Sequence, residues 1–192
     1  ARAAQSAAAA LTQLETRIPG FPAEAAEAAA SPAAPAEAAA EAAGAPSAET
    51  VIPDYQLNPA MDMPVETVDG VGYIGVLDIP VLGLSLPVAS EWDGAVSQLA
   101  PCRYSGSAYL GNLVIAGHNY RSHFGPLDQL AEGDAVIFTD TDGNRFAYTI
   151  VGLEVLGPGD VEAMTGSDWA LTLFTCTVGG QSRLAIRCDA TE

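Results

Sequence analysis

Leu173-Phe174-Thr175-Cys176-Thr177 sets a cysteine between threonines, Arg183 follows it by seven residues, and His118 closes the apolar run that ends Ala116-Gly117-His118-Asn119. Cysteine attacks as its thiolate. At an ordinary pKa of about 8.5 only a few per cent is ionised near neutrality, so a cation or base must stand nearby. His118 can supply that help. Attack on an amide creates a tetrahedral oxyanion, which a permanently charged guanidinium such as Arg183 can hold without giving up a proton. Such a set could break an amide through a thioester and pass the acyl group to a second acceptor.

For that chemistry the three side chains must meet, and the elements around them suggest how. If Leu171–Thr175 is a strand and Arg183–Arg187 begins its hairpin partner, Cys176 ends the first and Arg183 starts the second, so both reach one rim of a sheet. Leu110–Ala116, an almost continuous apolar run, leads a third strand to His118. Each residue has a rival. His123, in Ser122-His123-Phe124, competes for the base, although its polar setting suits a loop. Arg187 lies four residues from Arg183 on the same face at another height, farther from the cysteine's rim. Cys102 and Cys188 read as small core hydrophobes.

The remaining pattern is mostly β. Val71–Ile79, Leu82–Val88, Ala135–Thr139, Arg145–Leu156 and Arg183–Cys188 are strand-like, with Asp142-Gly143 as a hairpin turn. Trp92–Leu99 and Pro126–Ala131 carry short helical patterns, Ser90 standing as a possible cap of the first. Many short strands with few helices imply a closed or nearly closed barrel. Two motifs are decoys. Gly70-Val71-Gly72-Tyr73-Ile74-Gly75 matches a dinucleotide fingerprint but leads into a strand, so no helix N-terminus awaits a pyrophosphate. Asp140-Thr141-Asp142-Gly143-Asn144 resembles the opening of a calcium loop, yet Arg145 stands where glycine is required and Val151 where glutamate is.

Taken in order, Asn112-Leu-Val-Ile-Ala-Gly-His-Asn-Tyr120, Phe124-Gly125-Pro126-Leu127, Leu130, Gly133-Asp134, Thr172-Leu-Phe-Thr-Cys-Thr177 and Ser182-Arg-Leu-Ala-Ile-Arg187 resemble the sortases, cysteine transpeptidases of bacterial cell surfaces. The likeness runs from about residue 71 to 192. It implies a closed eight-stranded sortase-type β-barrel with a few short helices and with Cys176 and His118 at its mouth. It makes Cys176 the nucleophile, His118 the acid and base, and Arg183 the oxyanion holder, with Thr175, Asn119 and Tyr120 as substrate contacts. The implied donor is a sorting-signal peptide like Leu-Pro-any-Thr-Gly on a surface protein. The implied acceptor is an amine such as that of a cell-wall precursor, so that surface proteins become anchored to the wall. Pilin polymerisation is a second outcome of the same chemistry; a non-catalytic barrel that binds wall peptides is an alternative of another class. Asn119-Tyr120 and the run 124–127 look nearest to class B or class D. No cofactor and no metal are expected, and a monomer is.

Before residue 71 the composition changes. Residues 1–50 are rich in Ala, Glu and Pro, poor in large apolar side chains, and read as a spacer, disordered or partly helical. A helix from 1 to 18 that caps or binds something is the minority alternative. Residues 51–70 connect to a catalytic domain at 71–192. Sortases are held at the outer face of the membrane by an N-terminal apolar helix; none is in this chain, so the resemblance places the anchor before Ala1. Pilin-polymerising members carry an Asp-Pro-aromatic lid, and none is found before residue 71. The net charge of −17 divides into −8 before residue 71 and −9 after it, and lysine is absent. That surface repels nucleic acid and anionic lipid and could attract a cationic amine. Cys102 with Cys188 is the one disulfide that spares Cys176; three free thiols are the alternative.

Overall fold

A computed structural model describes residues 2–21, 52–157, 159–166, 168–177 and 180–191. Its frame is a sheet of β1 (Glu66–Val68), β2 (Val71–Ile79), β3 (Leu84–Ala89), β4 (Cys102–Ser105), β5 (Leu113–Gly117), β6 (Ala135–Asp140), β7 (Arg145–Leu156), β8 (Leu171–Cys176) and β9 (Arg183–Ala190). The strands run in the order β1-β2-β3-β4-β5-β8-β9-β7-β6, and β2 pairs again with β6. That second pairing closes β2 to β9 into an eight-stranded barrel. β1 lies along β2 beyond the end of the seam, since β1 meets Val71–Tyr73 while β6 meets Gly75–Asp78. Closure removes the open edges that would otherwise invite foreign strands.

Alternation along the strands decides what the barrel holds. Leu113 and Ile115 of β5, Leu171 and Leu173 of β8, and Ile186 and Cys188 of β9 point inward with Ile74, Leu77, Phe138 and Ile150 and fill the interior. Val114, Ala116, Phe174 and Ala185 point the other way. On the outside they make a second cluster with Met164 of α2, a short helix at Val161–Thr165.

Within the stretch expected as a spacer, disordered or partly helical, the described residues 2–21 hold a helix. Arg2–Arg17 is a helix, α1, that seats Ala10, Leu14 and Ile18 on Val68, Tyr73, Val76, Ala89 and Cys102. Those positions recur every four residues and make one apolar stripe. Burying Leu14 and Ile18 is worth about 1.5–3 kcal/mol each. Arg17 adds a salt bridge to Glu66 of 2.5 Å. Residues 22–51, the rest of the expected spacer, lie outside the described residues. The connecting stretch 51–70 supplies β1 and sets Tyr55 against Tyr109 at 4.7 Å and Phe146 at 5.3 Å.

Both decoys resolve as β structure. Gly70–Gly75 runs into β2. Asp140 ends β6 and organises the turn into β7: its Oδ1 accepts from the amides of Asp142 and Asn144, and its Oδ2 accepts from the Tyr109 hydroxyl at 2.7 Å. Cys102 sits in the cluster beneath α1 and Cys188 in the barrel interior, so the contemplated disulfide is not formed and all three cysteines are free. No helix among the described residues is long and apolar enough to cross a membrane.

Candidate active site

β5 and β8 are parallel neighbours with Gly117 opposite Thr175, so the next residues, His118 and Cys176, leave adjacent strands at the same end. On the other side of β8, antiparallel β9 places Arg183 directly across from Cys176. Directly opposed residues have Cβ atoms about 4.5–5.5 Å apart. Three sheet neighbours thus bring the cysteine, histidine and arginine together from residues 58 and 7 positions away in the chain.

The side chains share a cleft of about 220 Å3, walled by Trp92, Tyr104, Phe174, Val161 and Met164. The cleft is on the outside of the barrel rather than in its mouth. Cys176 has the parity of Phe174, Arg183 that of Ala185, and His118 that of Ala116, all outer-face residues. The interior holds core side chains such as Leu173, Ile115 and Phe124.

His118 lies between two aromatic rings, stacked on Tyr120 with centroids 5.1 Å apart and tilted against Trp92 at 5.9 Å. Its Nε2 is 3.4 Å from the hydroxyl of Ser97, a buried residue of the 3-10 turn Val96–Gln98. An imidazole packed against two aromatic rings is held in its orientation. Arg183 donates from Nη1 to the carbonyls of Gly180 and Ser182, each at 3.2 Å. Thr177 donates to the Ser182 carbonyl and ties the ends of β8 and β9 together. The guanidinium is therefore fixed by the turn it springs from.

The rivals separate cleanly. His123 is fully buried beneath the loop after β5, where its Nε2 donates to the Leu99 carbonyl at 3.0 Å, and burial pushes its pKa down. It does not line the cleft. Arg187 is also buried, bound to groups of the sheet and of α2. Of the expected substrate contacts, Tyr120 reaches His118 but not the cleft wall, and Asn119 is exposed beside it. Thr175 borders the cleft, yet its parity is that of Leu173, and its Oγ1 is buried without a partner among the described residues. Trp92, Tyr104, Ser97, Val161 and Met164 carry no motif that marks them in the sequence. An exposed tryptophan in the polar run Ser90-Glu91-Trp92-Asp93 is the one signal available. Among the described residues no group of histidine, cysteine and carboxylate side chains could hold a metal.

Residues 77–191 match the family model of the sortase domain. Among solved structures, a Clostridium perfringens sortase D5 transpeptidase is 25% identical, with a TM-score of 0.57 over 66% of this chain and 83% of that one. Sortase A from Corynebacterium diphtheriae is also 25% identical, with a TM-score of 0.57 over 72% of this chain and 67% of that one. Sortase C from Clostridium perfringens, solved with the C-terminal cell wall sorting motif, shares the fold at 21% identity and a TM-score of 0.55, over 62% of this chain and 71% of that one. No curated protein matches. These three neighbours belong to classes D, A and C.

Proposed function

The chain belongs to the sortase family, and from that premise we propose that residues 71–192 form a cysteine transpeptidase unit that cleaves an LPXTG-like sorting signal and joins the acyl part to an amine. The observation that carries this is the register: Cys176 faces Arg183 across β8 and β9 and stands beside His118 at the end of parallel β5, all three in one outer cleft.

In this reading the peptide lies along the outer faces of β5, β8 and β9 with its scissile carbonyl at Cys176. The Sγ thiolate attacks the carbonyl carbon; Arg183 holds the oxyanion. Collapse expels the amine, which takes a proton from His118, and leaves a thioester. An incoming amine then attacks the thioester, loses its proton to His118, and releases Cys176 as a new amide forms. Five aromatic or aliphatic walls around one cation suit a peptide whose side chains are largely apolar.

Wall anchoring is favoured over pilus assembly by one feature: among the described residues, the segment before β2 contributes nothing to the cleft. Its Tyr55 instead packs on Tyr109 and Phe146. The proposed location is the outer face of the cell membrane, where the donor proteins and wall precursors meet. A test of anchoring against polymerisation supplies a wall-type amine and a lysine-bearing pilin-like peptide in competition. Preference for the pilin-like acceptor would reverse this assignment.

A further inference from the structure

Arg187 takes no part in the proposed chemistry, yet it is buried, only 2% exposed. A buried guanidinium is costly unless its donors are met. Here they are met by three different elements. Nε donates to Glu154 Oε2 of β7 at 3.0 Å, and Nη2 lies 3.0 Å from the same oxygen. Nη1 donates to Thr172 Oγ1 of β8 at 3.2 Å, and Nη2 donates to the carbonyl of Ala163 in the middle of α2.

That last bond gives the residue its importance. α2 has five residues, no side-chain N-cap bond, and Met164 as its one buried residue. Helices so short do not hold themselves. Yet Val161 and Met164 wall the cleft that holds His118 and Cys176. Among the described residues two ties fix this wall to the sheet: Met164 in the outer cluster and the Arg187 fork. Lysine, with one point charge, cannot reach a carboxylate, a hydroxyl and a carbonyl in three directions as the planar fork does.

We infer that Arg187 is a positioning residue that fixes α2 as the wall of the donor-peptide groove, governing peptide binding without touching the reacting atoms. The inference rests on the transpeptidase reading for the identity of the peptide. β9 thereby supplies two arginines to one face, Arg183 for the carbonyl that reacts and Arg187 for the wall beside it. A loosened wall costs contacts made in the bound state and the transition state alike, so it raises KM and spares kcat.

The test compares the full chain with Arg187→Met and Arg187→Lys in three measurements. These are amide exchange over residues 161–165, steady-state kinetics with an LPXTG peptide and an amine, and the rate of Cys176 alkylation. Arg187→Met is expected to speed α2 exchange and raise peptide KM, each at least tenfold, with kcat and alkylation within about twofold of the parent. Arg187→Lys should fall between. Unchanged α2 exchange, or a loss of kcat and alkylation at constant KM, would overturn the inference. If Arg187→Met fails to fold, Glu154→Gln, which alters the half-exposed partner, should move exchange and KM in the same direction by a smaller factor; no movement in either sinks the idea. A parent that turns over no sorting peptide would count against the transpeptidase reading, while α2 exchange would still decide whether Arg187 holds the wall.

Discussion

His118 sets its ring against Trp92 and Tyr120, and in the proposed mechanism its work as acid and base depends on that clamp. A cation over an aromatic face at an exposed site is worth about 0.5–1 kcal/mol. Trp92→Leu should therefore lower kcat about two- to fivefold while leaving the folded state intact, as read by transpeptidation rate and circular dichroism. An unchanged rate would mean that the clamp is incidental. The meeting of Cys176, His118 and Arg183 is legible in the sequence because cysteine and histidine are rare in this chain and all three residues flank apolar runs. Trp92 and Ser97 are not, because nothing local says that a tryptophan between Glu91 and Asp93 folds back over a strand end 26 residues later. Thr175 borders the cleft, while its adjacency to Cys176 on a strand gives its side chain the opposite parity on β8.

Among the elements, the loop from His118 to Phe124 is held by close approach to β5. The Phe124 ring lies where Gly117 would carry a side chain, 2.7 Å from a Cβ built there. Gly117→Ala should push Phe124 away and carry His118 off its station, cutting kcat at least tenfold, whereas the thermal midpoint should fall by only a few degrees. Equal activity would contradict the close fit. Away from the cleft, α1 brings Glu15 toward Asp78 of β2, and burial first, then that carboxylate, raise the Glu15 pKa. A raised folded pKa means that stability is full below the ordinary carboxylate range and declines as pH rises through the folded value. The midpoint of Glu15→Gln minus that of the parent should therefore grow between about pH 4 and pH 7; a constant difference would remove Glu15 from the account. The strands around the site are readable to within a few residues from their apolar runs. β4 is not, being only Cys102–Ser105 between Pro101 and Gly106, and α1 is legible only as the alternative helix from 1 to 18, because its stripe of Ala7, Ala10, Leu14 and Ile18 falls within an alanine-rich tract.

Over the molecule as a whole, burial and charge set the conditions under which the fold holds and the proposed chemistry can run. Burial raises the Cys102 thiol to about 11 and Cys188 to about 12, and pushes Tyr109 and Tyr148 up as well. All four favour the neutral form in the fold. Their contribution is complete below the ordinary thiol value and is lost as pH rises through the folded values, so stability to urea should hold to about pH 9 and fall between there and pH 12. In the same native protein at pH 8 one thiol should label quickly, and two only after unfolding. The net charge of −17 should also make transfer to a cationic amine slower as salt rises. Barrel closure is implied by strand number and by family likeness, but the outer placement of the cleft follows from parity on three strands at once, which only their joint register reveals. The central claim, a thioester at Cys176, is tested most directly by intact mass after mixing the chain, and Cys176→Ala, with sorting-signal peptides with and without an amine. An adduct of the acyl fragment on the parent alone, discharged by the amine into a new peptide product, is the predicted result; an adduct that persists in Cys176→Ala, or product formed without Cys176, would contradict it.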